Sequence, residues 1–447
     1  MYNNNKKLLV IGVGMACAPI VSAIDQLSPD AVFFFCSEQT RKLIDGSGKV
    51  CKKDYKSEQP ELPNILKQSQ AGGALHYDVA QLENPDSLKK CTEHALSVFK
   101  QIKSEYAGYE VIVDVTPGTK AMTVALVNGS MVIPEAKIMV TTANRLAKEE
   151  YQVALGTEQH LPIRAGMIMF SFHTRIIDQF VGKYDYSAVV DYIQQLRNMN
   201  PGLDDWMIDQ LKEYDDWCRT FAAWDKFDHE AAGALLRFAD DPEFGGYDEY
   251  LKKILSQRRL LESPELSIAD YAVEGSAEIV WDMLFNTQRC AINLRFDDAV
   301  ARLYRSLEML MQLRLKTQYD LHTAKITVDQ LSAELCEKYG ISGKGSKIDL
   351  VRGYDLLADL NDELGAAWLD NRSRLIDMLG RRNHSILAHG VKTVDASMYA
   401  DVDGVIGAFI RSQLGNFFGN KDISRQLPRT FKQVQTGDLN RKEPFHA

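Results

Sequence analysis

Residues 111–127 read VIVDVTPGTKAMTVALV, a short apolar run followed by a glycine turn and then by a stretch with helical spacing. The run Val111–Val115 predicts a buried strand, and Thr119–Val127 predicts a helix. A strand, a tight turn and a helix in this order form one repeating element of an α/β fold, with the turn at the carboxyl end of the strand. The N-terminal part of the chain is interpreted from this element outward.

The same alternation extends over the first third of the chain. Four further runs predict strands, and one stretch predicts a second helix: Leu8–Val13, Ala31–Cys36, Ala74–Tyr77 and Lys137–Thr141, with the helix at Pro85–Lys103. Strands that alternate with helices form a mostly parallel sheet covered by helices on both faces. We therefore predict an α/β Rossmann-like domain over residues 1–158.

The pattern becomes helical after Gly166 and stays so from Ile176 to Phe417. Proline-containing breaks, such as Asn200-Pro201-Gly202, separate successive helices. We predict an all-α C-terminal part that consists of a helical connector, a helical domain and a polar tail, at 165–287, 288–420 and 421–447.

Composition restricts the classes of function. The chain has 447 residues, 45% hydrophobic and 25% charged, as expected for a folded protein with more than one domain. Its net charge of −9 argues against a broad nucleic-acid-binding surface and stable DNA binding. No run is long and apolar enough for a membrane span, and no cationic leader precedes a cleavage site, so we expect a cytoplasmic protein without membrane association.

The seven cysteines are scattered and form no CxxC pair. This spacing argues against both a disulfide framework and a zinc knuckle. Reduced, buried thiols are expected.

The first candidate ligand turn is Gly12-Val13-Gly14-Met15, between the first strand and a helix. Glycines there let a ligand approach the backbone, and a helix N-terminus offers N–H groups to an anion. The dinucleotide fingerprint requires a third glycine where this chain has Cys17, so a nicotinamide cofactor is disfavoured. A tight turn that binds no ligand explains the glycines equally well.

The second candidate turn is Thr116-Pro117-Gly118-Thr119-Lys120, which is not a Walker A loop. Its threonines can cap a helix or bond to phosphate and ribose oxygens. Lysine is mildly unfavourable at the positive end of a helix, and its presence therefore favours a bound anion. Ser37, Glu38 and Asn144 follow other predicted strands at the same edge of the sheet. Polar side chains gathered at this edge of the sheet are suited to binding a nucleotide.

A second candidate site lies in Leu375–Gly390, LIDMLGRRNHSILAHG. Arg382 and His389 are seven residues apart, which places them on one face of a helix, roughly 10 Å apart along its axis. Asn383 can orient either of them. His384 and His389 point about 140° apart on a helix, so no metal site is expected. A solvated basic patch at a helix C-terminus is the alternative.

A companion helix is predicted at Asp297–Leu315, where Tyr304, Glu308 and Gln312 recur every four residues beside Arg305. Polar groups interleaved with a Leu/Met core face indicate a buried polar network or an interface. Glu308 can hold an arginine such as Arg382, or it can form an ordinary salt bridge between helices.

These stretches resemble the CRISPR-associated CARF–HEPN ribonucleases of type III systems. DVTPGTK at 114–120 is similar to the family's ligand-binding turn, and YRSLEMLMQ at 304–312 to its HEPN core helix. RRNHSILAHG at 381–390 is similar to the HEPN motif, in which four to six residues separate Arg from His and Asn often follows the Arg. Six residues separate Arg382 from His389.

The resemblance implies that cyclic oligoadenylate, the activator, binds at the two glycine turns and that no cofactor is required. It implies a homodimer that cleaves single-stranded RNA without a metal, by 2′-hydroxyl attack that leaves a 2′,3′-cyclic phosphate and a 5′-hydroxyl. Arg382, Asn383 and His389 would be catalytic, with support from Arg305, Glu308 and Arg381.

One alternative is a non-catalytic nucleotide sensor whose helical half is an interaction module. A transcription regulator is a variant of this alternative, but no helix-turn-helix with a basic recognition helix is found. A nicotinamide oxidoreductase is disfavoured because the third glycine is absent.

Overall fold

The computed structural model describes residues 6–53, 57–71, 74–133, 135–142, 159–163, 165–199, 203–236, 244–266, 276–383, 392–418 and 426–431. The chain divides into two compact units. Unit 1 comprises Met1–Arg175 and Ile193–Asp209, and unit 2 comprises Ile176–Tyr192 and Gln210–Ala447.

Unit 1 is built on a six-stranded sheet. In chain order its strands are β1 Lys7–Val13, β2 Ala31–Ser37, β3 His76–Leu82, β4 Glu110–Asp114, β5 Lys137–Thr142 and β6 Gln159–Ile163. The spatial order is β3-β2-β1-β4-β5-β6; β1 to β5 are parallel, and β6 pairs antiparallel with β5. The predicted Rossmann-like sheet is confirmed.

Helices cover both faces of this sheet. They are α1 Ala18–Leu27, α2 Glu38–Asp45, α3 Ile65–Gln68, α4 Leu88–Glu105 and α5 Lys120–Ser130. Because successive strand residues point to opposite faces, Phe33 packs with α4 and α5 while Phe34 packs with α1, α2 and α3. Burial on both faces explains why these strands are continuous apolar runs.

The strands that differ from prediction lie at the two edges of the sheet. The third strand was expected at Ala74–Tyr77, but β3 runs over the more polar HYDVAQL and is only partly buried. The prediction omitted β6, whose sequence QHLPI contains Pro162 opposite Met139. Proline is tolerated at a sheet edge because an edge strand leaves half of its N–H groups unpaired.

The expectation that every cysteine is reduced is wrong for Cys17 and Cys51, whose sulfurs are bonded and whose Cα atoms lie 6.0 Å apart. Cys17 directly precedes α1, and Cys51 pairs with Leu62 in an isolated β-bridge. The two cysteines are 34 residues apart in sequence, and only the tertiary fold brings them together.

Unit 2 is helical, as predicted, and three of its helices are shared with unit 1: α6 Ala165–Val181, α7 Tyr186–Met199 and α8 Asp205–Asp225. The others are α9 His229–Leu235, α10 Tyr247–Glu262, α11 Glu278–Ile292, α12 Phe296–Tyr319, α13 Ala333–Tyr339, α14 Leu350–Asp359, α15 Glu363–Asn383, α16 Ala396–Val402 and α17 Ala408–Phe418. A 3-10 turn spans Val328–Gln330, and a π-helical turn spans Asp403–Gly407.

An aromatic pair holds the core of the C-terminal helices. The rings of Tyr354 on α14 and Trp368 on α15 stack with centroids 4.5 Å apart, and both side chains are fully buried. The Tyr354 hydroxyl donates a hydrogen bond to the carbonyl oxygen of Leu307 on α12 at 2.9 Å. The ring stacking and this hydrogen bond together join α12, α14 and α15 at one point and satisfy the buried hydroxyl.

Part of the predicted polar tail packs within unit 2. Phe431 and Leu427 are buried, and the Tyr186 hydroxyl donates to the carbonyl oxygen of Pro428 at 2.6 Å. The fully buried Arg289 donates to the side-chain oxygen of Gln426 at 2.6 Å. The segment 426–431 is therefore an integral part of this unit.

The disulfide gives a direct prediction. Protein purified without reductant and then denatured should expose five thiols in a thiol titration, rising to seven after reduction. The bond should resist mild reductant in the folded protein because Cys17 and Cys51 are 2% and 0% exposed. Seven thiols without reductant would show that the bond is absent; Cys51→Ser, which frees Cys17, should give six.

Candidate functional site

The candidate ligand site of unit 1 lies where the strand order of the sheet reverses. β1 and β4 are neighbours, and the chain proceeds from β1 to β2 on one side and from β4 to β5 on the other. In open α/β sheets the crevice outside the carboxyl ends of two such strands is where ligands bind. The two segments there are the β1 turn, residues 14–17, and the β4 turn, residues 115–119.

The end of β1 and the β1 turn both touch the β4 turn. A Cβ atom on Gly12 would lie 2.2 Å from the carbonyl oxygen of Pro117, and one on Gly14 would lie 2.9 Å from the nitrogen of Gly118. Contacts that short are not tolerated, so both positions require glycine. Gly118 has φ of +111°, in the region that favours glycine. The structure thus brings the two predicted turns together and explains their glycines by backbone contact.

A buried carboxylate fixes the β4 turn. Asp114, fully buried at the end of β4, accepts hydrogen bonds from the backbone N–H of Thr116 at 2.9 Å and the Thr141 hydroxyl at 2.8 Å. The Thr116 hydroxyl accepts from the N–H of Thr141 at 2.5 Å. The sequence interpretation gave Asp114 no role, although an acidic residue at the end of an apolar strand is the available signal.

Thr119 and Ser37 act as helix caps. The Thr119 hydroxyl accepts from the N–H of Met122 at 3.3 Å and donates to the carbonyl oxygen of Pro85 at 2.5 Å. The Ser37 hydroxyl accepts from the N–H of Thr40 at 3.3 Å, within a capping box. Each hydroxyl accepts a hydrogen bond from a backbone N–H in the first turn of a helix, which is the role of a helix cap.

Other predicted ligand residues lie at the open rim of the crevice. Thr116, Gly118 and Lys120 are exposed, as are Glu38 and Met15, and Met15 is 66% exposed. Lys120 forms no ion pair with any residue that the structure describes. Asn144 lies outside the described residues.

The chemistry of this rim favours an anion. The N-terminal N–H groups of α5 point out of the β4 turn, and Lys120 adds a positive charge in the first turn. Backbone N–H groups at a helix start together with an unpaired lysine are a common arrangement for phosphate. The exposed Met15 in the β1 turn adds an apolar side chain to this polar surface.

In unit 2 the backbone of Arg381, Arg382 and Asn383 forms the last turn of α15. His389 lies in the segment 384–391, outside the described residues. Beyond that segment, the N–H of Val394 donates to both carboxylate oxygens of Asp297 at 3.1 and 3.2 Å. Val394 therefore lies beside the first turn of α12.

The predicted polar face of α12 forms a hydrogen-bonded cluster. Arg305 donates to Glu308 at 2.7 Å and to the side-chain oxygen of Gln312 at 3.1 Å. The described partners of Glu308 are thus Arg305 and Gln312, both on its own helix. A role for Glu308 in holding Arg382 remains a prediction.

Comparisons with known proteins agree with this two-part description. Residues 270–413 match the family model of the Csm6 HEPN domain. The chain is also similar to a solved structure described as Enterococcus italicus Csm6 bound to cyclic hexa-2′-fluoro-hexa-dAMP. That similarity has a TM-score of 0.61 and 12% identity, and it covers 93% of this chain and 96% of that chain. None of the curated proteins matches the chain.

Two further solved structures show only weak similarity. One is a type III CRISPR defence DNA nuclease activated by cyclic oligoadenylate, with TM-score 0.24, 11% identity, and coverage of 49% of this chain and 34% of that chain. The other is Can2 from Sulfobacillus thermosulfidooxidans in complex with cyclic tetra-adenylate, with TM-score 0.22, 11% identity, and coverage of 51% and 68%. Structural similarity at this level supports no conclusion about the fold or function of this chain.

The fold and the family match define a class of protein: an α/β unit with two adjoining turns at its switch point, and a helical HEPN domain. Residues 270–413 match the HEPN domain of Csm6, and the chain shares its fold with the Csm6 structure.

No group of three or more His, Cys, Asp or Glu side chains among the described residues is placed to hold a metal ion. None of the helices in the described ranges is both long and apolar enough to cross a membrane.

Adding a single methyl group at Gly12 tests the contact with the β4 turn. Gly12→Ala should destabilise unit 1 by roughly 1–3 kcal/mol, because the new Cβ overpacks against the Pro117 carbonyl. The matched control Gly343→Ala, whose Cβ would meet nothing within 4 Å, should change stability by no more than about 0.5 kcal/mol. Denaturant unfolding provides the measurement. An unchanged midpoint for Gly12→Ala would mean that the turns do not touch.

Proposed function

We propose that this protein is a metal-independent endoribonuclease of type III CRISPR defence that cyclic oligoadenylate activates. The observation that carries the proposal is the HEPN family match, because residues 270–413 include both Arg382 and His389. The match supports a nuclease, and the spacing of these two residues on a helical pattern supports RNA cleavage by their side chains.

The activator is assigned to the rim of the two turns in unit 1. A cyclic oligoadenylate carries several phosphates and bases, and the rim offers helix N–H groups, an unpaired lysine and the exposed Met15. The Csm6 structure that shares this fold over 93% of the chain is described as holding a cyclic hexanucleotide analogue. Gly14, Gly118 and Lys120 would contact phosphate, and Glu38 and Asn144 would bond to sugar or base.

The cleavage chemistry follows from the residue types. The 2′-hydroxyl of one ribose attacks the adjacent phosphorus, and the bond from phosphorus to the 5′-oxygen breaks. A 2′,3′-cyclic phosphate and a 5′-hydroxyl result. His389 moves the proton as general base or acid near neutral pH. Arg382 stabilises the charge of the transition state through its planar guanidinium, and Asn383 orients both groups.

A homodimer is part of the proposal, since paired HEPN domains would bring two sets of Arg382 and His389 to one RNA cleft. Such a small site also suits a chain with a net charge of −9, because RNA needs to be held only over a few nucleotides. Arg305, Glu308 and Arg381 would support the cleft.

The experiment is an RNA cleavage assay in EDTA, with and without cyclic tetra- or hexa-adenylate. Wild-type protein should cut single-stranded RNA only when the activator is present. His389→Ala should lose at least about 100-fold in rate, since acid–base catalysis contributes that much or more. It should still bind the activator. His384→Ala is the matched control and should keep the wild-type rate.

The outcomes separate the alternatives. Activator binding without any cutting by wild type would favour a non-catalytic sensor whose helical half is an interaction module. Cutting by His389→Ala at the wild-type rate would refute the assignment of the catalytic site.

A further inference from the structure

A cavity of about 230 Å³ lies on unit 2, between α15, the π-helical turn and α17. Arg374, Asn371 and Gln413 are among its polar lining residues, and Phe409 and Leu375 form its apolar wall. Its volume is below the roughly 300–1,000 Å³ of pockets that enclose a whole drug-sized ligand. A single nucleobase or a phosphate is a better match in size.

The π-helical turn shapes one wall of this cavity. Turns of this kind are rare and occur frequently at functional sites. Here Gly404 and Val405 of the turn line the cavity. Arg411 forms a two-pronged ion pair with Asp403 across the turn, at 3.0 and 3.2 Å, which fixes the widened backbone.

Gln413 indicates that the cavity accepts a polar ligand. The residue is 7% exposed, it lines the cavity, and its side chain makes no hydrogen bond with the residues that the structure describes. Its amide is not one of the described polar groups that are fully buried without a partner, so it remains accessible and can donate to and accept from a ligand. Asn371 donates its amide N–H to the Ala367 carbonyl at 2.9 Å, which leaves the amide oxygen of Asn371 as an acceptor.

Arg374 supplies a free positive charge at the mouth of the cavity. It is exposed and forms no ion pair with a described residue, although Asp370 and Asp377 are one turn away on α15. Other arginines of this unit are paired: Arg372 with Asp355 at 3.2 Å, for example. An unpaired arginine beside an accessible amide favours an anionic ligand with hydrogen-bonding edges.

Helix geometry relates this cavity to the predicted catalytic arginine. Asn371 and Leu375 precede Arg382 by eleven and seven residues on α15. At 100° per residue, each interval differs from a whole number of helical turns by about 20°. The three residues therefore lie on one face of α15. Along the axis they lie about 16 Å and 10 Å from Arg382.

We propose that this cavity is an RNA subsite for a nucleotide away from the cleaved bond. Arg374 binds a phosphate of the strand, and Gln413 and Asn371 hydrogen-bond to a base that stacks against Phe409. The subsite rests on the proposed ribonuclease function, whose substrate it positions. It selects and holds RNA and takes no part in the cleavage step.

The test measures RNA binding separately from cleavage, in the His389→Ala background, by fluorescence anisotropy with a single-stranded RNA oligonucleotide. Arg374→Ala should raise the Kd roughly tenfold, as expected for a lost charged hydrogen bond. It should also reduce the slope of log affinity against log salt by about 0.7, the value for one phosphate contact on a single strand. Gln413→Leu should raise the Kd and leave that slope unchanged.

The matched control is Arg259→Ala, which removes another exposed arginine without a described ion pair from unit 2, outside the cavity. This control should leave both the Kd and the salt slope as they were. In protein with His389 intact, Arg374→Ala should raise KM for RNA while kcat stays the same. The melting temperature of each variant shows whether the fold is kept.

The proposal is overturned if Arg374→Ala behaves like Arg259→Ala, if it lowers kcat with KM unchanged, or if the His389→Ala protein does not bind RNA. Failure of the ribonuclease function gives a different pattern. In that case wild type does not cut RNA, while Arg374→Ala still weakens RNA binding with the expected change in salt slope, and the subsite stands.

Discussion

The close approach of two backbone turns is the constraint on which the rest of unit 1 depends. Gly12 lies against the Pro117 carbonyl because β1 and β4 are neighbours in the sheet, and Asp114 fixes the second turn from beneath. The contact holds the β4 turn in place, and Lys120 at the start of α5 is exposed. The surface proposed for phosphate thus consists of groups that backbone packing alone positions.

Much of unit 1 could be predicted from the sequence because its strands are buried on both faces. Phe33 and Phe34 face opposite cores, so that the strand appears as an uninterrupted apolar run. What could not be predicted depends on neighbours distant in sequence. β6 has a sequence that contains Pro162 and acquires its pairing only from β5, and Cys17 meets Cys51 only after the chain has folded.

In the helical half, periodicity predicted α12, with its cluster of Arg305, Glu308 and Gln312. It also predicted a helix over 375–390, of which the structure describes the part up to Asn383 as the end of α15. Spacing along one helix is local information. The anchor between Asp297 and Val394 and the cavity at Gln413 are not local, since each joins elements far apart in the chain. No pattern in a single helix shows which of its polar side chains will line a cavity formed with other helices.

The central claim is that the two turns of unit 1 bind a cyclic oligoadenylate. The most direct measurement is an experimental structure of the protein in complex with whichever of cyclic tetra- and hexa-adenylate activates it. Our account predicts ligand phosphates within hydrogen-bond distance of the N–H groups at the start of α5 and of the Lys120 amine. A ligand bound away from both turns, or the absence of any complex with either cyclic adenylate, would contradict it.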